Sequence, residues 1–209
     1  DGAASVYVSG KYAYVASYFT NALRIIDISN PALPVIVGSA SSTLLQGIQS
    51  VYVSGKYAYV ANNSNDSMRI IDISNPALPL IVGSASSTEF DGATSVFVSG
   101  RYAYVTNQIA DSLRIVDVTN PAAPISVGGV VSTTALDGAA SVYVSGKYAY
   151  VAAEDANSLR IIDISSSTAP AIVGGVSSTL LQGALSLQIA GKYAYVASVA
   201  DDSLRIIDI

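Results

Sequence analysis

The sequence has no cysteine, no histidine and no tryptophan, and only one methionine in 209 residues. Lack of cysteine excludes a disulfide framework, and lack of histidine as well excludes Cys/His zinc sites. Ser-His-Asp and Cys-His catalysis fall with them, as do imidazole-ligated haem and copper. Charge is sparse at 12% of residues, and ten basic side chains face fifteen acidic ones. The net charge of −5 leaves no basic footprint for nucleic acid. No apolar run approaches the roughly 18 residues of a membrane helix, so no membrane insertion is expected. There is no leader pattern and no initiator methionine, so the chain is expected to be a processed or excised segment.

What is present is repetition. Ser-Val-Tyr-Val-Ser-Gly-Lys-Tyr-Ala-Tyr-Val-Ala at 5–16 recurs with small changes at 50–61, 95–106, 141–152 and 186–197. Its glycines, Gly10, Gly55, Gly100, Gly146 and Gly191, are spaced by 45, 45, 46 and 45 residues. Leu-Arg-Ile-Ile-Asp-Ile follows at 23–28 and returns at 68–73, 113–118, 159–164 and 204–209. A third block, Asn-Pro-Ala-Leu-Pro-Val-Ile-Val-Gly, starts near 30, 75, 120 and 166 and occurs four times only. The units fall at approximately 1–46, 47–91, 92–137, 138–182 and 183–209 of a single domain.

Each unit reads as four short strands without a helix. Strands A (Ser5–Val8) and B (Tyr12–Val15) flank Ser9-Gly10, a two-residue hairpin signal. Strand C (Leu23–Ile28) is rich in β-branched residues, and strand D (Val35–Val37) follows a turn held extended by Pro31 and Pro34. The strands are apolar on both faces, so each sheet is expected to be covered on both sides. Such units, about 45 residues long, are the signature of propeller blades. The fold class is therefore all-β: a five-bladed β-propeller of four-stranded antiparallel blades, the last lacking its outer strand. The strand C block with Ile-Ser-Asn-Pro resembles the LVIVD repeat family of propellers. That resemblance implies an exported or surface-attached protein and carries over no functional residue, because every copy here has arginine at the second motif position.

The third block is missing from the fifth unit, so that blade is expected to be three-stranded, or cut from a longer array, or completed by another molecule. An open strand at 204–209 would be an apolar edge, a template for strand addition. The basic residues occupy two columns: Lys11, Lys56, Arg101, Lys147 and Lys192, and then Arg24, Arg69, Arg114, Arg160 and Arg205. Asp27, Asp72, Asp117, Asp163 and Asp208 lie three residues after those arginines. An odd separation puts arginine and aspartate on opposite faces of a blade. Pairing of the two across the gaps between blades, or satisfaction by backbone groups, is expected.

The A–B and C–D turns are nearly constant, whereas the B–C and D–A loops vary, and in an up-and-down blade these lie on opposite faces. Seven acids read as falling outside the columns: Asp66, Glu89, Asp111, Glu154, Asp155, Asp201 and Asp202. With Asn63 and the aromatic points Tyr18, Phe19 and Phe90 they make the variable face the candidate binding surface. Glu89 and Glu154 are the only glutamates and sit on different blades, so no carboxylate pair suits glycoside chemistry and no enzyme is expected. Among metals the oxygen-rich loops suit calcium best, at Asn63, Asn65 and Asp66 or at Asp201 and Asp202, but neither matches an EF-hand and no cofactor is expected. Two sequons begin at Asn62 and Asn65. The reading is a non-catalytic interaction module, extracellular or on the cell surface, meeting a protein partner or assembling with itself. A carbohydrate-binding propeller is the alternative, but the B–C loops lack the sameness that five equivalent glycan sites need.

Overall fold

The computed structural model describes residues 2–209. Four antiparallel sheets of four strands and one of three make up the chain, each with its strands in sequence order. The first blade is β1 (Ala3–Ser9), β2 (Tyr12–Ser17), β3 (Ala22–Asp27) and β4 (Val35–Ser41). The second is β5 (Ile48–Ser54), β6 (Tyr57–Asn62), β7 (Ser67–Asp72) and β8 (Leu80–Ser86). The third is β9 (Ala93–Ser99), β10 (Tyr102–Asn107), β11 (Ser112–Asp117) and β12 (Ile125–Val131). The fourth is β13 (Ala139–Ser145), β14 (Tyr148–Ala153), β15 (Ser158–Asp163) and β16 (Ala171–Ser177). The fifth is β17 (Ala184–Ala190), β18 (Tyr193–Ser198) and β19 (Ser203–Asp208). The architecture is the five-bladed propeller read from the sequence, with a three-stranded last blade.

Local chemistry explains the elements. Gly10 turns the A–B hairpin with φ 58°, a conformation that costs glycine little, and Tyr12 pairs with Ser9 directly across it. The outer strands run four residues further than expected, to Ser41 in the first blade, because Gly38 and Ser39 continue the ladder against Ile25 and Arg24. The sequence reading contained no helix, whereas single 3-10 turns stand at Thr43–Leu45, Thr88–Phe90 and Thr179–Leu181 in the D–A loops. Ser42, Ser87 and Ser178 cap them by accepting a backbone N–H two residues on.

The core lies between blades rather than within them. Leu23 and Ile25 of β3 meet Val51 and Val53 of β5, with Ala58, Val60 and Ile71 behind them. The same arrangement recurs at the next three seams. Inner strands β1, β5, β9, β13 and β17 stand in succession around the axis.

Candidate functional site

The variable face is a braced frame. Asn21, Asp66, Asp111, Asn157 and Asp202 all sit at φ 45–49°, the left-handed region that Asn and Asp tolerate best. The N–H of Gly47 donates to Asn21 Oδ1 at 3.3 Å, and those of Gly92, Gly138 and Gly183 donate to Asp66, Asp111 and Asn157 at 3.1 Å. The carbonyls of the same glycines accept from the next B–C loop, Gly47 from Asn63 and Gly92 from Gln108. Each D–A glycine therefore ties two B–C loops together. This corrects the assignment of Asp66, Asp111 and Asp202 as acids outside the repeat columns: they form a column of their own with Asn21 and Asn157.

Other candidate residues are also engaged. Glu89 meets Arg114 at 3.4 Å and accepts from Ser126. Glu154 accepts from Gln108 of the preceding blade at 3.0 Å. Asp201 takes Arg205 at 2.6 Å and Ser203, and the Arg205 contact is the main cause of its lowered pKa. Asp155 and Phe19 are exposed, and Tyr18 meets Phe19 edge-on at 5.2 Å. Phe90 is not a surface point. It is buried beneath its 3-10 turn in the second seam, taking the place that Leu45, Leu136 and Leu181 fill elsewhere; aligning those four positions reveals its role. Asn62, the first sequon residue, is fully buried, while Asn65 Nδ2 donates to Thr43 O at 2.7 Å. Among the described residues no three carboxylates gather where a metal would sit.

On the constant face the expected pairing of arginine with aspartate across blades is overturned. Asp27 pairs instead with Lys11 of its own blade, as Asp117 does with Arg101, Asp163 with Lys147 and Asp208 with Lys192. The A–B hairpin and the end of strand C lie side by side, so the nearer cation wins. Asp27 also accepts the N–H and hydroxyl of Ser29; these bonds, with Lys11, hold its carboxyl down to about 2. Each of the five basic residues stands over the tyrosine that follows it, 4.9–5.3 Å from the ring centre. The strand C arginines turn the other way. Arg160 and Arg205 donate Nε–H to the carbonyls of Ala135 and Leu180 in the D–A loops, so the other half of the expectation, backbone satisfaction, holds for these two. Arg69 Nε and Arg114 Nε, by contrast, are buried without a partner among the described residues.

The axis carries a feature the sequence reading passed over. Tyr7, Tyr52, Phe97 and Tyr143 project from consecutive inner strands with ring centres 4.7–4.8 Å apart. Gln188 takes the fifth position, and together they line a cavity of about 340 Å³. Burial, with the Tyr7 hydroxyl beside it, pushes the Tyr52 phenol up to about 12. Two residues earlier in each strand, Ser5, Ser50, Ser95, Ser141 and Ser186 ring a second cavity of about 280 Å³.

The two ends of the blade series are bare. Val6 and Val8 on the first blade are 61% and 57% exposed, and Leu204 and Ile206 on the fifth are 63% and 62%. Their counterparts inside the seams are closed: Val51 at 4% and Val53 at 6%, Leu23 and Ile25 at 0%. The LVIVD repeat model matches at 2–41, 48–86, 92–132, 138–178 and 183–209, nearly the whole chain. The chain belongs to the LVIVD repeat family. No curated protein matches this LVIVD chain. Among solved structures it is similar to a periplasmic gluconolactonase of Pseudomonas aeruginosa, with TM-score 0.85 and 17% identity, over 100% of this chain and 66% of that one. It is similar too to a protein from Lactobacillus plantarum, with TM-score 0.82 and 15% identity, over 99% of this chain and 70% of that one. The designed Ika8 protein gives TM-score 0.74 at 8% identity, over 98% of this chain and 57% of that one. At these identities the likeness is one of fold alone, and the LVIVD chain spans about two thirds of the length of the first two.

Proposed function

We propose that this LVIVD chain is a non-catalytic structural and interaction module of an exported or cell-surface protein, and that it joins to further blades of its own kind through its two end faces. One observation carries the reading. Val6 and Val8 form one half of the contact made at every internal seam, Leu204 and Ile206 form the other half, and both halves are exposed. The two halves are complementary to each other, so the contact is heterologous: the front of one chain meets the back of the next. Full burial of each such side chain is worth about 1.5–3 kcal/mol, a strong drive for association. The acids of the variable face are mostly occupied in bracing their own loops, which favours the end faces over that surface as the partner site.

Light scattering over a range of protein concentrations tests this. The mass is expected to rise above that of one chain, and Val8→Asp or Leu204→Asp alone is expected to leave a single chain, because every contact needs one front and one back. Mixing the two variants should then give a dimer and nothing larger, because one unblocked front meets one unblocked back. A chain that stays single at all concentrations would overturn the reading.

A further inference from the structure

The edge of β19 differs from every equivalent edge in the molecule. Strands β3, β7, β11 and β15 each pair on their outer side with β4, β8, β12 and β16, whereas β19 ends its sheet. Two clefts flank it. One, of about 130 Å³, lies among Leu159, Ile161, Gly175, Val176, Ile207 and Ile209. The other, of about 200 Å³, lies among Val176, Leu180, Leu181, Arg205 and Ile206.

The four complete blades say what fills such clefts. Ile81 of β8 packs back into the seam between the first and second blades, and Ile172 of β16 does so between the third and fourth. The residue of that type is what the cleft beside Ile161 lacks. That is why Ile161 is only half-buried while Ile25, Ile70 and Ile115 are fully buried. A second mark lies on the fourth blade. A side chain on Gly38, Gly83 or Gly128 would collide with the turn before the next blade's outer strand, at Pro76, Pro121 and Ser167. Gly174 occupies the same position, yet only its own Ile161 is near. The neighbouring Val173 is exposed, whereas Val37, Val82 and Val127 pack into seams.

We propose that the edge of β19 is a strand-acceptor site for the outer strand of another LVIVD repeat: an extended segment of the type Pro-x-x-Pro, three apolar residues and glycine. The segment adds antiparallel to β19 by main-chain hydrogen bonds, with specificity from the two clefts. Its register follows β7 and β8, where Asp72 faces Leu80, Ile71 faces Ile81 and Ile70 faces Gly83. Asp208, Ile207 and Ile206 are the corresponding positions of β19. The site deepens the assembly reading by naming the segment that completes the fifth blade, and it is tested separately from end-face packing.

The test is a labelled synthetic peptide of residues 75–86 titrated into the 209-residue chain, with fluorescence anisotropy as the readout. Dilution to a concentration at which light scattering gives a single chain keeps end-face contacts out of the measurement. Saturable one-to-one binding is expected, roughly tenfold or more weaker for a peptide carrying Ile81→Asp. Gly174→Val in the chain, placed in open space and so sparing the fold, is expected to weaken binding because it obstructs the docking place of the proline turn. No saturation, or equal binding of the Ile81→Asp peptide, would overturn the strand-acceptor site even if the chain associates through its ends. Peptide binding by a chain that never associates would leave this site standing and remove the end-face reading alone.

Discussion

Ser50 Oγ accepts the backbone N–H of Val96, one blade further on, at 3.2 Å. Ser5 does the same for Val51, Ser95 for Val142 and Ser141 for Leu187, each at 3.4 Å. Inner strands of adjacent blades do not share a sheet, so these N–H groups would otherwise face the axis without a protein acceptor. The hydroxyl fits because serine is small enough to stand beside the axis in every blade. Among the described residues no such bond joins Ser186 to Val6, in keeping with the bare end faces.

Replacing one of these serines removes the acceptor and leaves a partly buried N–H unmet. Ser50→Ala and Ser95→Ala are each expected to lower stability by about 1 kcal/mol. Ser186→Ala, with no recipient blade, is expected to change little. Urea unfolding of the three variants, read as a shift of midpoint at constant slope, checks the contrast.

The bracing of the variable face makes a different prediction. Asp66 acts through one carboxylate oxygen on the N–H of Gly92 while holding a left-handed backbone. Asn21 and Asn157 perform the same task with an amide oxygen. Asp66→Asn is therefore expected to be near neutral and Asp66→Ala to cost about 1–2 kcal/mol, from lost capping and backbone strain together. Thermal denaturation separates the two; an equal loss in both would mean that the charge matters rather than the bond.

The repeat makes the blades legible because each strand's pattern, the Gly10 hairpin and the proline turn occur four or five times over, so every local signal is present in several copies. Site residues were less legible. Phe90 reads as an exposed aromatic beside its loop neighbours Glu89 and Asp91, and only its column with Leu45, Leu136 and Leu181 marks the place as buried. Asp66 and Asp111 looked variable because asparagine alternates with aspartate at that place, and only the left-handed backbone displays their common duty. The pairing of Asp27 with Lys11 depended on a through-space neighbour sixteen residues away, which strand alternation alone does not supply. The bare faces at Val6 and Leu204 have the same sequence as their buried counterparts; their exposure follows from position in the series, not from composition.

Acid should weaken the constant face in a defined window. Asp27 titrates at about 2 in the folded chain because Ser29 and Lys11 favour its charged form, and Asp72, Asp117 and Asp163 are lowered mainly by Ser74, Thr119 and Ser165. Unfolded aspartate titrates near 3.9, so the unfolded chain takes up these protons first. The stabilisation is complete above about pH 4 and is lost as pH falls towards 2. The melting temperature is expected to be flat near neutrality and to drop across that interval. Asp27→Asn, which retains an acceptor for the Ser29 N–H, should shrink the drop. A melting temperature unchanged between pH 4 and 2 would refute the account.

Two glycines at one repeat position give the sharpest contrast in the molecule. Gly83 lies against the carbonyl of Pro121, with the Pro124 ring at 3.3 Å from where a side chain would begin. A methyl group there must push away backbone held by two prolines, which resists small displacement. Gly83→Ala is expected to cost about 2–3 kcal/mol, at the upper end of overpacking penalties. Gly174 has the same strand setting but open space on that side, and its φ is not in the left-handed region. Gly174→Ala is therefore expected to be neutral or slightly stabilising, because alanine reduces the freedom of the unfolded chain. Chemical denaturation of the two variants decides the matter. Equal penalties would show that glycine is needed there by the strand itself, and not by the turn of the neighbouring blade.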